Sequence, residues 1–399
     1  MNRIGSPIAV FFAVLCLCLQ AWAQETVINL GLEEIVRADG KDIVVPGYSV
    51  PSFEDWNNDH LRDLIIGEGG GGFPGKVRVY LNAGTEADPC FAGFFYVQSG
   101  GHDLTCSPAG CLGCYPRVVD WDGDNRKDLL IGLGDGAVKI FLNVASDNEP
   151  AFDAGQSVKV GSTSTLDLNV GARATPNLVH WNDDGMIDLV AGGMDGKIHI
   201  YYNCGCGGWV PPHFYSSAPA GSLAQENGRD LQVSGLRSCP VIMDLDGDGL
   251  KDLLTGNTDG QIVFYKNVGV QSEPKFSGSS FVQSNGKPIH LPDSLRSRPS
   301  VCYWTGDGHF GPRDGYWDLL VGYGDGKVHL YRGIPKLGDL DGDGHIGCRD
   351  FDWLARAVDE PIPPGGSPAD LNGDGAVDIL DLRIFVDLWL GENTGEPNP

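Results

Sequence analysis

The stretch Asp120-Trp-Asp-Gly-Asp-Asn-Arg-Lys-Asp-Leu-Leu-Ile-Gly132 joins an acidic turn to a short apolar strand. Asp135-Gly136 follows, a pair that favours the tight turn of a β-hairpin. The next residues, Val138-Lys-Ile-Phe-Leu142, alternate as in a half-buried strand. The stretch therefore predicts an acidic loop followed by two antiparallel strands.

This unit occurs five times. The aspartate that begins the apolar strand is Asp63, Asp128, Asp188, Asp252 and Asp318, at intervals of 65, 60, 64 and 66 residues. Between units, an asparagine is followed by a Pro-x-Phe stretch, as in Asn143 to Phe152. Counting gives about four short strands per repeat, without helical periodicity. We therefore predict an all-β fold, a β-propeller of about five four-stranded blades.

The two ends of the repeat region contain partial repeats. Residues 27–54 resemble the first half of a repeat, and residues 319–332 resemble the second half. If the two halves share one sheet, the strand after Val27 should pair with Lys327 to Tyr331. A wider ring that needs partners, or an open array, is the alternative.

Each acidic turn places side-chain oxygens at relative positions 1, 3, 5 and 9, a spacing that lets alternate side chains point at one cation. Like charges crowded in this way repel one another unless a cation lies between them. The predicted calcium ligands are Asp55, Asn57, Asp59 and Asp63; Asp120, Asp122, Asp124 and Asp128; and Asp244, Asp246, Asp248 and Asp252. The alternative is a solvated acidic β-turn, because Asp and Asn favour turns.

The third and fifth turns depart from this pattern. His180 takes position 1 beside Asn182, Asp184 and Asp188, so we expect a weak or altered calcium site, because imidazole suits softer metals. An insertion precedes Asp318, and the fifth turn is not counted as a site.

The block Asp-x-Asp-x-Asp-Gly-x-x-Asp-Leu followed by Gly-x-x-Asp-Gly resembles FG-GAP/VCBS repeats, the propeller blades of integrin α-subunit heads and many bacterial surface proteins. The resemblance covers residues 27–332. It implies calcium in the turns named above and a surface that binds proteins or glycans.

The C-terminal region contains two twelve-position loops with oxygen ligands in EF-hand spacing and glycine at position 6. Their predicted calcium ligands are Asp339, Asp341, Asp343 and Asp350, and Asp370, Asn372, Asp374, Asp378 and Asp381. Apolar spacing predicts a helix after each loop, through Leu354 and through Phe385. Two such units without an entering helix resemble a type I dockerin. That resemblance implies a cohesin-like scaffold partner for residues 336–392, although loop positions 10 and 11 (Cys348-Arg349 and Ile379-Leu380) lack the usual small polar residues.

The remaining features concern location and partners. Residues 1–23 read as a signal peptide ending in Ala21-Trp-Ala23, which predicts a secreted or cell-surface protein with a propeller at 24–335, a dockerin-like module at 336–392 and a tail at 393–399. No later stretch is apolar for the roughly 20 residues that a membrane helix needs. A formal net charge of −25 argues against nucleic acid as a partner.

Three cysteines lie close together in one insertion of the repeat region. Cys106, Cys111 and Cys114 fall in one insertion, for which local disulfides are expected and zinc is the alternative. The favoured function is a calcium-binding extracellular protein that binds a protein or glycan and is not an enzyme. The alternatives are a dockerin-bearing polysaccharide hydrolase or lyase, although only 12 Glu against 41 Asp leave few candidates for a carboxylate pair, and a structural component of a surface layer.

Overall fold

The computed structural model describes residues 29–394 except 107–112, 162–165, 206–211, 216–220, 292–295, 305–316, 335–336, 341–345, 359 and 361–366. The predicted signal peptide, Asp341, Asp343, Cys111 and residues 395–399 of the tail lie outside the described residues. The described chain divides into one compact unit that ends at Ile334 and another that continues from Leu337. No helix among the described residues is long and apolar enough to cross a membrane.

The first unit consists of β-strands. The strands up to the third repeat are β1 Asn29–Ile35, β2 Arg37–Ala38, β3 Lys41–Asp42, β4 Val50–Glu54, β5 Asp63–Gly70, β6 Phe73–Tyr80, β7 Phe95–Tyr96, β8 Gln98–Ser99, β9 His102–Asp103, β10 Cys114–Val119, β11 Asp128–Leu133, β12 Val138–Phe141, β13 Gln156–Ser157, β14 Lys159–Val160 and β15 Leu166–Asp167. The others are β16 Thr175–Val179, β17 Asp188–Gly192, β18 Ile198–Asn203, β19 Phe214–Tyr215, β20 Ser222–Leu223, β21 Gln225–Glu226, β22 Arg229–Asp230, β23 Cys239–Met243, β24 Asp252–Gly256, β25 Ile262–Tyr265, β26 Ser280–Phe281, β27 Gln283–Ser284, β28 Lys287–Pro288, β29 Arg298–Cys302, β30 Asp318–Gly322 and β31 Val328–Gly333.

These strands form a propeller arrangement. Four blades are each built from strands of one repeat, in the antiparallel orders β4-β5-β6-β7, β10-β11-β12-β13, β16-β17-β18-β20 and β23-β24-β25-β26. In each blade the Asp-Leu strand predicted from the sequence is second in order, as the hairpin signals indicated. The mostly β architecture is therefore confirmed.

A further sheet combines the two ends of the unit. Strands β29, β30 and β31 follow one another in antiparallel order, and β1 is added to β31. Leu30 lies opposite Gly333 and Ile35 lies opposite His329. The prediction that the strand after Val27 pairs with the last hairpin is confirmed. Beyond β1 the sheet continues through β27 and β28.

The glycine at the fifth residue of each Asp-Leu strand is required by a close approach between sheets. A Cβ added there would lie between 2.0 and 2.4 Å from a backbone oxygen at or just before the first strand of another sheet. The five glycine–oxygen pairs are Gly67 with Cys114, Gly132 with Ala174, Gly192 with Ser238, Gly256 with Ser297, and Gly322 with Ser49. The repeated glycine in the sequence therefore marks the packing of one sheet against the next.

Apolar side chains fill the spaces between successive sheets. In one cluster Ile65 of β5 packs with Leu129 of β11, and in another Leu64, also of β5, packs with Leu320 of β30. A second kind of contact joins the repeats near the acidic turns, where a buried tryptophan meets the Phe of a Pro-x-Phe stretch. Trp121 and Phe214 are one such pair, with ring centroids 5.9 Å apart. Burial of these large side chains is the main favourable contribution to the fold.

The described part of the second unit contains two helices, α1 (Cys348–Ala357) and α2 (Ile379–Thr394). Each follows an acidic loop, as predicted. Leu354 of α1 and Phe385 of α2 are fully buried and share one apolar cluster with Ile346, Leu371 and Val377. The loops and helices of this unit thus share one small core.

Candidate calcium-binding turns and loops

The aspartate that begins each Asp-Leu strand is a buried backbone acceptor. We call Asp63, Asp128, Asp188, Asp252 and Asp318 the clamp aspartates. One carboxylate oxygen accepts the N–H of the residue at the second position of the turn, as from Trp121 at 2.9 Å. The other accepts an N–H at the end of the next strand or just beyond it, as from Asn143 at 2.7 Å. The remaining pairs are Trp56 and Asn82, Trp181 and Asn203, Leu245 and Asn267, and Trp304 and Gly333.

Four of the clamp aspartates are costly to ionise. Burial raises the pKa of Asp63 and of Asp128 to about 6 and that of Asp252 to about 7, and it also raises the pKa of Asp188. The backbone donors oppose this shift, whereas the neighbouring carboxylates of the turns reinforce it. A cation near these carboxylates would favour their ionised form. It would offset the cost of burying the charge and the repulsion from the neighbouring carboxylates.

The second turn brings three carboxylates together. Oxygens of Asp120, Asp122 and Asp124 lie within 4.8 Å of one another. Asp120 is held in place because its two oxygens accept the N–H groups of Gly123 and Asn125 at 2.8 and 3.2 Å. Arg126 forms an ion pair with Asp124. This arrangement presents hard oxygen donors of the kind that calcium prefers.

The fourth turn also brings three carboxylates together, and a lysine side chain, rather than an arginine, lies beside them. Oxygens of Asp244, Asp246 and Asp252 lie within 4.8 Å of one another. The ammonium group of Lys266 forms an ion pair with Asp246 and lies 2.9 Å from Asp248 Oδ2. A calcium ion held by these aspartates would compete with Lys266 for the same oxygens.

The first turn replaces one acid with an amide. Asn57 Nδ2 donates to Asp59 Oδ2 at 3.0 Å, and Lys127 Nζ lies 3.6 Å from Asp55 Oδ1. The predicted ligands Asp55, Asn57, Asp59 and Asp63 thus lie on one turn. Among the described residues, however, the convergent groups of three or more acidic, His or Cys side chains are those of the second and fourth turns.

The third turn is bridged by its histidine. His180 Nδ1 lies 2.9 Å from the carbonyl oxygen of Met186, so the ring joins positions 1 and 7 of the turn. A position-7 carbonyl is a calcium ligand in loops of this kind, and here it is hydrogen-bonded to the ring. Asn182 Nδ2 donates to Asp184 Oδ2 at 2.8 Å, and Asp188 retains its clamp contacts. The altered character predicted for this turn has a structural basis in the bond from His180.

The twelve-position loops repeat the clamp at their last position. Asp350 and Asp381 are buried, and each accepts two backbone N–H groups. In the second loop Asp370 accepts from the N–H groups of Asp374 and Gly375 at 3.1 and 2.9 Å. Asn372 contacts Asp374, and Asp378 Oδ1 accepts the N–H of Leu380. In the first loop Asp339 is buried, and the remaining two predicted ligands lie outside the described residues.

Two features of these sites were missed from the sequence. Lys266 follows a strand at a position where the first two repeats have Leu81 and Leu142. The change from leucine to a charged residue was a sequence signal that this turn differs from the first two. The clamp function of position 9 was also missed, because ligand spacing and backbone acceptance predict the same residue type. The disulfide between Cys106 and Cys114 confirms a local bridge and leaves Cys114 unavailable as a zinc ligand.

Comparisons with known proteins give structural similarity alone. No family model matches the chain, and no curated protein matches it. The GH43_1 enzyme from Xanthomonas citri complexed with xylotriose has a TM-score of 0.44 at 10% identity, with 77% of this chain and 91% of that chain covered. The same enzyme complexed with xylose has a TM-score of 0.43 at 11% identity, with 76% and 90% covered. The Tc holotoxin pore from Photorhabdus luminescens has a TM-score of 0.34 at 14% identity, with 79% of this chain and 15% of that chain covered.

Proposed function

We propose that this chain is a secreted, calcium-stabilised FG-GAP/VCBS-type propeller that binds an extracellular protein or glycan and is tethered through its dockerin-like C-terminal module. The observation that carries the calcium proposal is the convergence of Asp120, Asp122 and Asp124 within 4.8 Å on a turn with one arginine ion pair. Three like charges at this separation repel, and a divalent cation would turn the repulsion into attraction.

Calcium suits this donor set better than the other common divalent ions. The donors are carboxylate and carbonyl oxygens, which disfavour zinc and copper. Calcium accepts irregular six- to eight-fold coordination by such oxygens, whereas magnesium demands near-ideal octahedral geometry. Calcium would be held by the side chains at positions 1, 3 and 5, with the clamp aspartate behind them.

The composite sheet supports a fifth blade in this proposal. Gly322 approaches Ser49 as the other four glycines approach their partners, and Leu64 packs with Leu320. Strand β1, from the start of the unit, then pairs with β31, from its end, and closes the ring within one sheet. A rigid ring of this kind holds its surface loops in place, which favours a binding function.

The structure of the unit from Leu337 onward supports the proposed attachment through a dockerin-like module. Its two loops use the same buried acceptor at position 12, and both helices pack on one apolar cluster. Calcium bound in both loops would link metal binding to the order of the helices.

The test is unfolding of the full chain in calcium, in magnesium and in chelator, followed by glycan-array binding and activity screening on polysaccharides. We expect calcium, but not magnesium at equal concentration, to raise the unfolding temperatures. The double variant Asp339→Ala with Asp370→Ala should lose calcium-dependent helical circular dichroism and keep the propeller transition. Identical unfolding temperatures in calcium and in chelator would refute the calcium proposal. Turnover of a polysaccharide would show that the protein is an enzyme rather than a binding protein.

A further inference from the structure

The centre of the propeller is lined by the first strand of each sheet. The residues opposite the five repeated glycines are Val50, Tyr115, Thr175, Cys239 and Arg298. Val50, Tyr115 and Cys239 are fully or almost fully buried and form one cluster, although they come from three different sheets. This layer therefore surrounds the axis of the ring.

Two residues before this layer, three repeats carry an arginine at equivalent positions. Arg173, Arg237 and Arg296 have φ values of 57°, 60° and 79°, and the equivalent residue of the second repeat is Gly113 with φ 69°. Arginine rarely adopts this left-handed conformation, because its Cβ crowds the backbone there, whereas glycine adopts it freely. Strain repeated at three equivalent positions indicates that the arginine side chain is needed there.

Each of these guanidinium groups has at least one buried N–H donor without an acceptor among the described residues, whereas Nη1 of Arg296 donates to the Tyr48 hydroxyl. Arg173 is 2% exposed, and its Nε and Nη1 are buried without a hydrogen-bond partner among the described residues. The same holds for Nη1 of Arg237 and Nε of Arg296. The arginine ion pairs in the described chain are formed by Arg37, Arg78, Arg126, Arg332 and Arg356. Buried donors of a charged group are costly to leave unpaired, so an acceptor is expected beside them.

The surroundings of Arg173 and Arg296 are aromatic and cationic. Arg296 and Arg298 lie over the ring of Tyr48, 5.1 and 4.6 Å from its centroid. Burial raises the pKa of Tyr115 to about 12, and the positive charges of Arg117, Arg298 and Arg173 act in the opposite direction. Burial also lowers the pKa of Arg296, the direction expected of a cation without a carboxylate beside it.

We propose that Arg173, Arg237 and Arg296, at the start of the inner strands, form a site for the carboxylate group of an anionic ligand, either a free small acid or a uronic-acid residue of an oligosaccharide. A carboxylate offers two oxygens that can accept two parallel N–H bonds from one guanidinium group. Unlike a water molecule, it also carries the negative charge that balances the guanidinium. In a chain of net charge −25, concentrated positive charge around one axis directs an anion to this place.

If the ligand is a uronic-acid oligosaccharide, the site rests on the proposed glycan binding and places it at the propeller axis. If the ligand is a free acid, the site is independent of that proposal. The two are separated by comparing ligands of both kinds with their neutral counterparts.

The experiment is titration calorimetry on the full chain in calcium at low ionic strength. The probes are glucuronate, a tetrasaccharide containing glucuronate, and glucose and cellotetraose as neutral counterparts. We expect binding of one or both acids and none of the neutral sugars. Binding of the tetrasaccharide alone identifies an oligosaccharide site, and equal binding of free glucuronate identifies a small-acid site.

Substitution of these arginines by glycine removes the side chain without straining the backbone, because glycine readily adopts the positive φ. The second repeat already has glycine, Gly113, at the equivalent position. Arg237→Gly and Arg296→Gly should each weaken acid binding by at least about tenfold, the effect of removing a charge-assisted contact, without lowering the unfolding temperature. Lys275→Ala removes an exposed charge elsewhere and should leave binding unchanged.

Arg173→Gly should likewise weaken acid binding by at least about tenfold, although it removes a buried side chain. Acid binding that survives all three glycine variants, or the absence of acid binding by the full chain, would overturn the site. Binding of a neutral glycan on the array would in that case still support the proposed function.

Discussion

The second and fourth acidic turns of the propeller have the same acid spacing but differ in the cation beside them. In the second turn Arg126, a residue of the turn itself, contacts Asp124. In the fourth turn Lys266 reaches in from the end of a neighbouring strand and contacts both Asp246 and Asp248. An ammonium group that already neutralises two ligands lowers the gain from calcium. We therefore expect the second turn to bind calcium more tightly than the fourth.

The largest expected effect comes from removing a clamp aspartate at a calcium turn. Asp128→Ala should leave two buried N–H groups unpaired, at about 1–3 kcal/mol each, and should also remove one calcium site worth about 1.4 kcal/mol at calcium tenfold above its dissociation constant. We expect a loss of about 5 kcal/mol in the free energy of unfolding, measured by denaturant titration in calcium.

Asp318→Ala is the matched control for that variant. Its carboxylate makes the same two kinds of backbone contact, on a turn that is not counted as a calcium site. Its loss should be the same in calcium and in chelator. A calcium-dependent loss at Asp318 would show that the clamp and the metal site cannot be separated by this comparison.

Chelation should produce the next largest effect. Extracellular calcium modules bind with dissociation constants of about 0.1–1 mM, and the first, second and fourth turns together should contribute about 4 kcal/mol at calcium tenfold above that constant. Differential scanning calorimetry of the full chain should show a lower propeller transition in chelator. Asp122→Ala and Asp246→Ala should each remove part of the difference, with the larger part removed by Asp122→Ala.

Lys266→Leu tests the role of the competing ammonium directly. Leucine is the residue at the equivalent position of the first two repeats, so the backbone accommodates it. Removing the positive charge should tighten calcium binding at the fourth turn by about tenfold, or about 1.4 kcal/mol. Calcium titration followed by unfolding temperature measures this change. An unchanged calcium dependence would mean that Lys266 moves aside without cost.

The smallest expected effect is at the third turn. His180→Ala should change the calcium-dependent stability by less than about 0.5 kcal/mol, because the turn is bridged by the ring rather than by a cation. His180→Asp should restore an acid at position 1 and add up to about 1 kcal/mol of calcium-dependent stability. If His180→Asp and His180→Ala respond alike to calcium, the acid spacing alone does not create a site.

Much of the fold follows from local sequence rules. Regular spacing of Asp63, Asp128, Asp188, Asp252 and Asp318 marked the repeats, because each blade uses the same short strand and turn. Alternation and Asp-Gly pairs predicted the hairpins, and the apolar spacing around Leu354 and Phe385 predicted both helices. These features depend on residues close in the chain, which is why they can be read without coordinates.

The tertiary structure decided the side-chain contacts between distant residues. It confirmed the β1–β31 pairing that the partial repeats predicted, and it placed Lys266 among the acids of the fourth turn. It also gave Arg173, Arg237 and Arg296 a positive φ at equivalent positions before the inner strands. The partners of Lys266 and of the arginines cannot be assigned from local sequence, because contacts between distant residues depend on how whole sheets pack. The sequence by itself determined the repeating unit and its candidate ligands. The packing of the sheets decided which carboxylates converge, which cation lies beside them and which aspartates serve as clamps.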